Sequence, residues 1–308
     1  MATSILSLAQ QAMPEMNLAT PTSIFGSGIQ DNLTVAALFN AAGNELAREY
    51  DWNELITELR FNTVYYTFTG TTTLGSPVIS ALSPAASSLS ISIPTSCFTC
   101  VGTGVPNDTT IASINSGANT ITLSQPSTAA NGTYTFNFCQ TQYTIATDYD
   151  RQINRTQWDK TKRWEMLGPE SQQQAQWLKS GYISTGPRLR WWMEAGYFNV
   201  WPPMTTNEYL GLVYITKNWA KSASGSGQSA FVADTDTCVF PDRLMVLAVK
   251  KKYFQLKGFD SAAFERDYNM HLSIAKAANV GASNLSLAPA NSQVLISIAQ
   301  VPDSSYGS

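Results

Sequence analysis

Between Thr69 and Thr147 the chain carries a single charged residue, Asp108. The stretch is dense instead in Ser, Thr, Ala, Gly, Val and Ile. Runs such as Ser90-Ile91-Ser92-Ile93 and Asn119-Thr120-Ile121-Thr122-Leu123 alternate polar and apolar residues, the period of a half-buried strand. Pro77, Pro84, Pro94, Pro106, Pro126 and Asn131-Gly132 punctuate these runs as turns do. Short strands at this spacing predict a small β-sandwich or barrel. The competing reading, a disordered Ser/Thr linker, would lack the alternating Ile, Val, Leu and Phe.

The flanks have a helical period. Val35, Leu38, Phe39, Ala42 and Leu46 share one face, behind an expected N-cap at Asn32 or Thr34. Asp51-Trp52-Asn53-Glu54 resembles a capping box that would restart a short helix. Phe61 to Phe68 alternates and leads into the charge-poor stretch as a strand. Thr135 to Phe138 and Tyr143 to Ile145 lead out of it. Pro169 to Lys179 is compatible with a helix begun at Pro169 and stopped by Gly181. Arg188 to Trp201 and Tyr209 to Trp219 read as two aromatic strands joined through Pro202-Pro203, followed by a Gly/Ser loop at 223–229. A helix is expected over Asp242 to Lys257, ended by Gly258. Another is expected from Ser261 to about Asn279, with Phe264, Tyr268, Leu272 and Ala275 on one face. The last residues, 282–308, have one charge, Asp303, and no helical stripe, and read as an extended arm.

The fold class expected is therefore α+β. Residues 1–68 and 140–281 form a discontinuous helical core with an aromatic β-hairpin, 69–139 an inserted sandwich-like β module, and 282–308 a C-terminal arm. Hydrophobic residues make up 44% and charged residues 13% of the chain, so a large core is available and much of a charge-poor surface is expected to meet partners. A net charge of −3 argues against gripping nucleic acid through phosphate neutralisation. No segment approaches the about 18 consecutive apolar residues of a membrane span. Met1 to Leu18 lacks the basic residues and apolar block of a secretory signal. Synthesis in a cytoplasm, with the four cysteines reduced, is the expectation.

Each residue type capable of catalysis has a plainer reading. His271 is the only histidine and occupies a helical position beside Tyr268 and Leu272. No nucleophile elbow of the G-x-S-x-G kind accompanies it. Cys97 and Cys100 form a CxxC, but only Cys139 and the distant Cys238 are left to complete a four-ligand zinc site. The pairs Asp148/Asp150 and Asp234/Asp236 suit turns and caps as well as they suit glycoside hydrolysis. Gly26-Ser27-Gly28 and Gly225-Ser226-Gly227 lack the lysine and the strand–helix setting of a phosphate loop. Lys250-Lys251-Lys252 is the one basic run, and on a helix it reads as a solvated edge. Trp158, Trp164, Trp177, Trp191, Trp192, Trp201 and Trp219 lie close together in sequence and suit either core packing or subunit interfaces.

Four segments carry a resemblance: LFNAAGNELAREYDWNELITELRF at 38–61, DYDRQINRTQWDKTKRWEMLGPESQQQAQWLKSG at 148–181, RLRWWMEAGYFNVWPPM at 188–204, and FVADTDTCVFPDRLMVLAVKKKYFQLKGFD at 231–260. In this order the chain resembles the adaptor, or head–tail connector, proteins of tailed phages, especially short-tailed ones. The β insert departs from that family's pattern. Its segment at 101–129, VGTGVPNDTTIASINSGANTITLSQPSTA, is similar to a small β module of phage tail and surface proteins.

The resemblance implies a virion structural protein of the neck. It would act as a homo-oligomeric ring, normally a dodecamer, between the portal protein and a tail or nozzle protein. Double-stranded DNA would pass through without being specifically bound. It implies binding without catalysis, no cofactor, no metal and no membrane. The helices at 242–257 and 261–279 are the expected ring body. Trp191, Trp192, Trp201 and Trp219, with Leu285, Leu287, Val294, Ile296 and Ile298 of the arm, are the expected intersubunit or portal contacts. A carbohydrate-binding or adhesive tail protein built on the β module is the alternative, and a hydrolase using the carboxylate pairs a further one.

Overall fold

The computed structural model describes residues 3–89, 91–181 and 188–280. Among them run five α-helices: α1 Ile5–Glu15, α2 Gln30–Glu49, α3 Gln172–Lys179, α4 Asp242–Lys257 and α5 Ala262–Val280. With several antiparallel sheets beside them, the chain is α+β. It divides into two compact units. The first gathers, among the described residues, those up to 57, 148–152 and 214–280. The second gathers 58–147 and 153–213, so the aromatic segment at 188–204 groups with the β module and α3, and not with α1, α2, α4 and α5.

In the first unit α4 is the central element. Leu244 to Val249 are all buried in succession, so this stretch of the helix is apolar around its whole circumference, as a segment enclosed by other helices must be. Helices α1, α2 and α5 pack against it. It ends where expected, at Gly258, whose φ of +73° is a left-handed cap that glycine adopts without penalty. Tyr268 and Leu272 on α5 face inward, in keeping with the predicted stripe. Helix α1 was legible but not anticipated. Ile5, Leu8, Ala9, Ala12 and Met13 are buried at helical spacing, and Ser4 caps the helix by accepting the Ser7 N–H.

Three expectations about helix starts are corrected. Helix α2 begins at Gln30 without a side-chain cap, and Asn32 instead turns inward to donate to the Ser23 carbonyl at 2.9 Å. The 51–54 segment forms one 3₁₀ turn, Asn53–Leu55, and then a strand; Asp51 pairs with Arg151 at 2.7 Å rather than capping anything. Helix α3 starts after Ser171, in a capping box with Gln174, not at Pro169.

The second unit is built on a six-stranded antiparallel sheet. Its strands are β1 Tyr65–Thr72, β2 Val78–Ser83, β3 Phe98–Gly102, β4 Ile111–Asn115, β5 Thr120–Leu123 and β6 Gly132–Gln140, in spatial order β3-β6-β1-β2-β5-β4. Of the sandwich or barrel expected, this is nearer the barrel: one curled sheet, a half-barrel, and not two sheets face to face. A bridge between Thr99 and Thr110 ties its edges. Phe68, Phe136 and Phe138 fill the concave side with Ile79, Ile111, Ile121 and Leu123. The outer face needs no charge: Thr67 donates to Asn137 at 2.7 Å, and the hydroxyls of Thr71 and Thr133 lie 3.1 Å apart across β1 and β6. Such cross-strand polar pairs stabilise a sheet surface as ion pairs would.

Beside it, β7 Gln142–Thr144, β8 Arg190–Glu194 and β9 Tyr197–Trp201 form a second sheet in the order β8-β9-β7. The aromatic hairpin is therefore β8 to β9, turning at Ala195-Gly196 with φ of +50° and +80°. It is not a pairing of 188–201 with 209–219 through the prolines. Tyr209–Thr216 instead runs in another sheet, where Leu210 and Gly211 pair with Trp158–Asp159.

Candidate interaction surface

The carboxylates proposed for hydrolysis are occupied with structure. Asp148 accepts hydrogen bonds from the Tyr214 hydroxyl at 2.9 Å and the Thr216 hydroxyl at 2.7 Å. Asp150 pairs with Arg151 at 2.7 Å. Asp234 accepts the backbone N–H groups of Ile24 and Phe25, each at 2.9 Å, and Asp236 those of Val232 and Ala233 at 2.7 and 2.8 Å. Each of these acids organises a loop or strand end by hydrogen bonding, as turn carboxylates do.

His271 lies half-buried on α5. All four cysteines are buried and unpaired. Burial pushes the thiols of Cys139 and Cys238 up to about 12 and raises those of Cys97 and Cys100 as well. They stay protonated near neutrality, which makes them poor nucleophiles and poor metal ligands.

The basic run on α4 is not a solvated edge. Lys250 is only 8% exposed and reaches Glu15 on α1 at 2.6 Å, where Arg243 joins at 3.2 Å. Lys251 lies 4.6 Å over the Tyr268 ring on α5, and Lys252 pairs with Glu45 on α2. Three consecutive lysines splay around a helix and so address three neighbours; each finds an acid or a π face. Tyr268 in turn donates to Glu49 of α2 at 2.9 Å. The run tethers α4 within its own unit and offers no free basic patch to phosphates.

The Lys250 hydrogen bond, with help from the charges of Lys250 and Arg243 and against a desolvation that pulls the other way, holds the Glu15 carboxyl below its ordinary range. A carboxyl depressed in the folded state stabilises that state above the ordinary carboxylate range, and the contribution is lost as pH falls through the lowered value. Urea midpoints measured across the acid range should therefore fall with pH. The Lys250→Met chain should show a shallower fall, and an unchanged slope would remove Glu15 from the account.

The tryptophans expected at interfaces turn inward. Trp191 stacks on Phe198 at 5.4 Å and is 0% exposed. Trp192 and Trp201 form a small core with Ala175 and Leu178 of α3, and Trp219 lies against Phe231 and Phe240 in the first unit. Their large apolar areas are already withdrawn from water within the single chain, leaving little ring surface for a neighbour. Leu285, Leu287, Val294, Ile296 and Ile298 lie outside the described residues.

A surface that the sequence reading did not single out is found on α5. Opposite its buried Tyr268–Leu272 face, Met270 is 54% and Ile274 57% exposed. Ala263 and Ala277 are exposed on either side of them. Ala263, Asp267, Met270, Ile274 and Ala277 follow one another at intervals of four, three, four and three, the spacing that keeps one seam facing a partner helix. Leu256 and Phe259, at the α4–α5 corner of the same unit, are 62% and 61% exposed. The spacing was available in the sequence, but the inward stripe on the same helix is the stronger signal and masked it. Besides its covered inward face, α5 thus holds two large apolar side chains, Met270 and Ile274, out in water and open to a partner.

Among the described residues no group of three His, Cys, Asp or Glu side chains is placed to hold a metal ion, and no helix is long and apolar enough to cross a membrane. In comparisons with known proteins, no family model matches the chain, and no curated protein matches it.

Proposed function

We propose that the chain is a virion structural protein that works as one copy in a ring, an adaptor between the capsid portal and the tail that surrounds the DNA path without chemistry of its own. The observation that carries this reading is the outward stripe of α5. A heterologous interface, in which one patch meets a different patch on the next copy, closes into a ring when its rotation is right. The α5 stripe with Leu256 and Phe259 would be one side of that contact. The α4–α5 pair then serves as the ring body.

Three further features support it. The overall charge of −3 suits a conduit that must release DNA. The lysine run, the chain's densest basic feature, is neutralised inside its own unit. The candidate catalytic acids are engaged in holding loops. The resemblance of residues 38–61, 148–181, 188–204 and 231–260 to phage adaptors supplies the partners: a portal protein on one side and a tail protein on the other.

Light scattering and negative-stain microscopy of the purified chain, alone and mixed with the portal protein of its own virion, test the proposal. The expected result is a closed ring of uniform diameter whose mass is a fixed multiple of 33.6 kDa. A chain that stays monomeric in both conditions, or that polymerises into open filaments, overturns it.

A further inference from the structure

The second unit contains a cavity of about 370 Å³, within the roughly 300–1,000 Å³ span of small-ligand sites. Its wall is apolar where Val101, Val105, Pro106, Trp201 and Pro203 contribute, and it holds one charged side chain, Asp108. Asp108 is also the single charge between Thr69 and Thr147. A module whose sheet surface carries hydroxyl and amide pairs in place of ion pairs has its one carboxylate in the cavity wall.

The carboxylate is held in place. Asp108 has a φ of +55°, a left-handed conformation that few residues other than Gly, Asn and Asp accept. The next residue, Thr109, is 0% exposed. Its hydroxyl donates to the Pro106 carbonyl at 2.6 Å, and its own carbonyl accepts the Cys100 N–H at 2.7 Å. The loop is thus bolted to β3, with Asp108 at its tip. Among the described residues no ion pair or hydrogen bond closes on the Asp108 side chain. Burial pushes its carboxyl up, Lys179 pulls it down from a distance, and Glu194 pushes it up. Lys179 itself is set 5.6 Å over the Trp192 ring.

From this arrangement we infer that the cavity binds a cationic group on a compact apolar body: an amidinium, guanidinium or ammonium carried by a ring or a short stem. A fixed, partly desolvated carboxylate on which no ion pair or hydrogen bond closes among the described residues gains a charge-assisted, bidentate pairing from such a group, and the Val and Pro wall accepts the body. An anion meets only repulsion. A sugar is served poorly, because Trp201 is only 4% exposed and offers no open ring face for stacking. The cation is either a free small molecule or a Lys or Arg side chain of another protein; the chemistry at Asp108 is the same.

Calorimetric and NMR titrations of the full chain with benzamidine, its neutral counterpart benzamide, and acetyl-arginine-methylamide test this. Benzamidine should bind with shifts confined to the 99–108 and 201–205 backbone, and Asp108→Asn should weaken it at least tenfold. Asparagine tolerates the same backbone conformation, and an unchanged circular dichroism spectrum confirms that the variant is folded. Benzamide should bind at least tenfold more weakly than benzamidine and be indifferent to the substitution. In the unaltered chain, benzamidine binding should also fade on acidification, at a pH above the ordinary carboxylate range. Tight binding of the arginine derivative alone would assign the site to a protein side chain, and tight binding of benzamidine alone to a free ligand. No cation binding, equal binding by Asp108→Asn, or benzamide binding as well as benzamidine would overturn the inference.

Discussion

Replacing Met270 and Ile274 by glutamate is expected to leave the single chain folded and to abolish its assembly. Both side chains are more than half exposed on α5, and substitutions at such sites ordinarily change stability by no more than about 0.5 kcal/mol each. Glutamate is also a good helix former. In an assembled ring the same two side chains would be buried at every contact. Fully burying a Met or an Ile is worth about 1.5–3 kcal/mol; only a little over half of each side chain is still open to be covered, so the loss is about 2–3 kcal/mol per interface. At 1.4 kcal/mol per decade that is roughly one to two orders of magnitude in the association constant, before the added penalty for placing two carboxylates in an apolar seam. Sedimentation should then show a folded monomer at concentrations where the unaltered chain is a ring. The pair Met270→Leu and Ile274→Leu, which keeps the apolar seam, should still assemble. Rings formed by the glutamate variant would place the interface elsewhere and detach the proposed function from α5.

How much of this was readable in advance depended on how local each determinant is. Helix α4 and its stop were legible because an apolar run and a glycine able to take φ of +73° act within a few residues of each other. The inward stripe of α5 was legible for the same reason. The position of the aromatic hairpin was not. Its turn is Ala195-Gly196 with both φ values positive, and alanine is a weak signal for a turn that favours Asn-Gly or Asp-Gly, whereas Pro202-Pro203 is a loud one. The tryptophans gave a large apolar area without saying which side would cover it. For Trp192 and Trp201 that depended on α3 packing over them, a contact between distant segments. The lysine run looked solvated because its partners, Glu15, Glu45 and Tyr268, sit on three other helices. The Asp108 cavity was half legible. The isolation of that charge is visible in the sequence, while the loop that carries it into a cavity wall is tertiary.

Gly43 tests the packing of the first unit most sharply, because there the usual helix rule should reverse. A glycine in the middle of α2 should cost about 1 kcal/mol relative to alanine, so Gly43→Ala would ordinarily stabilise. Here a Cβ would lie 2.3–2.4 Å from three carbons of the Trp219 ring, far inside van der Waals contact. The ring has nowhere to go. It is 1% exposed, its indole N–H donates to Asn44 at 2.9 Å, and Phe231 and Phe240 flank it with centroids at 4.8 and 6.2 Å. Overpacking of this kind costs about 1–3 kcal/mol or more, which outweighs the propensity gain. Trp219→Ala, which empties the same space, should cost about 3–5 kcal/mol. In combination the two should not add: once the ring is gone, Gly43→Ala meets open space and recovers its propensity benefit, so the double variant should be more stable than Trp219→Ala alone. Urea unfolding of the four chains, followed by helical circular dichroism, measures the coupling. Strict additivity, or a stabilising Gly43→Ala in the unaltered background, would show that α2 and the Trp219 ring are not in the contact on which the first unit's core depends.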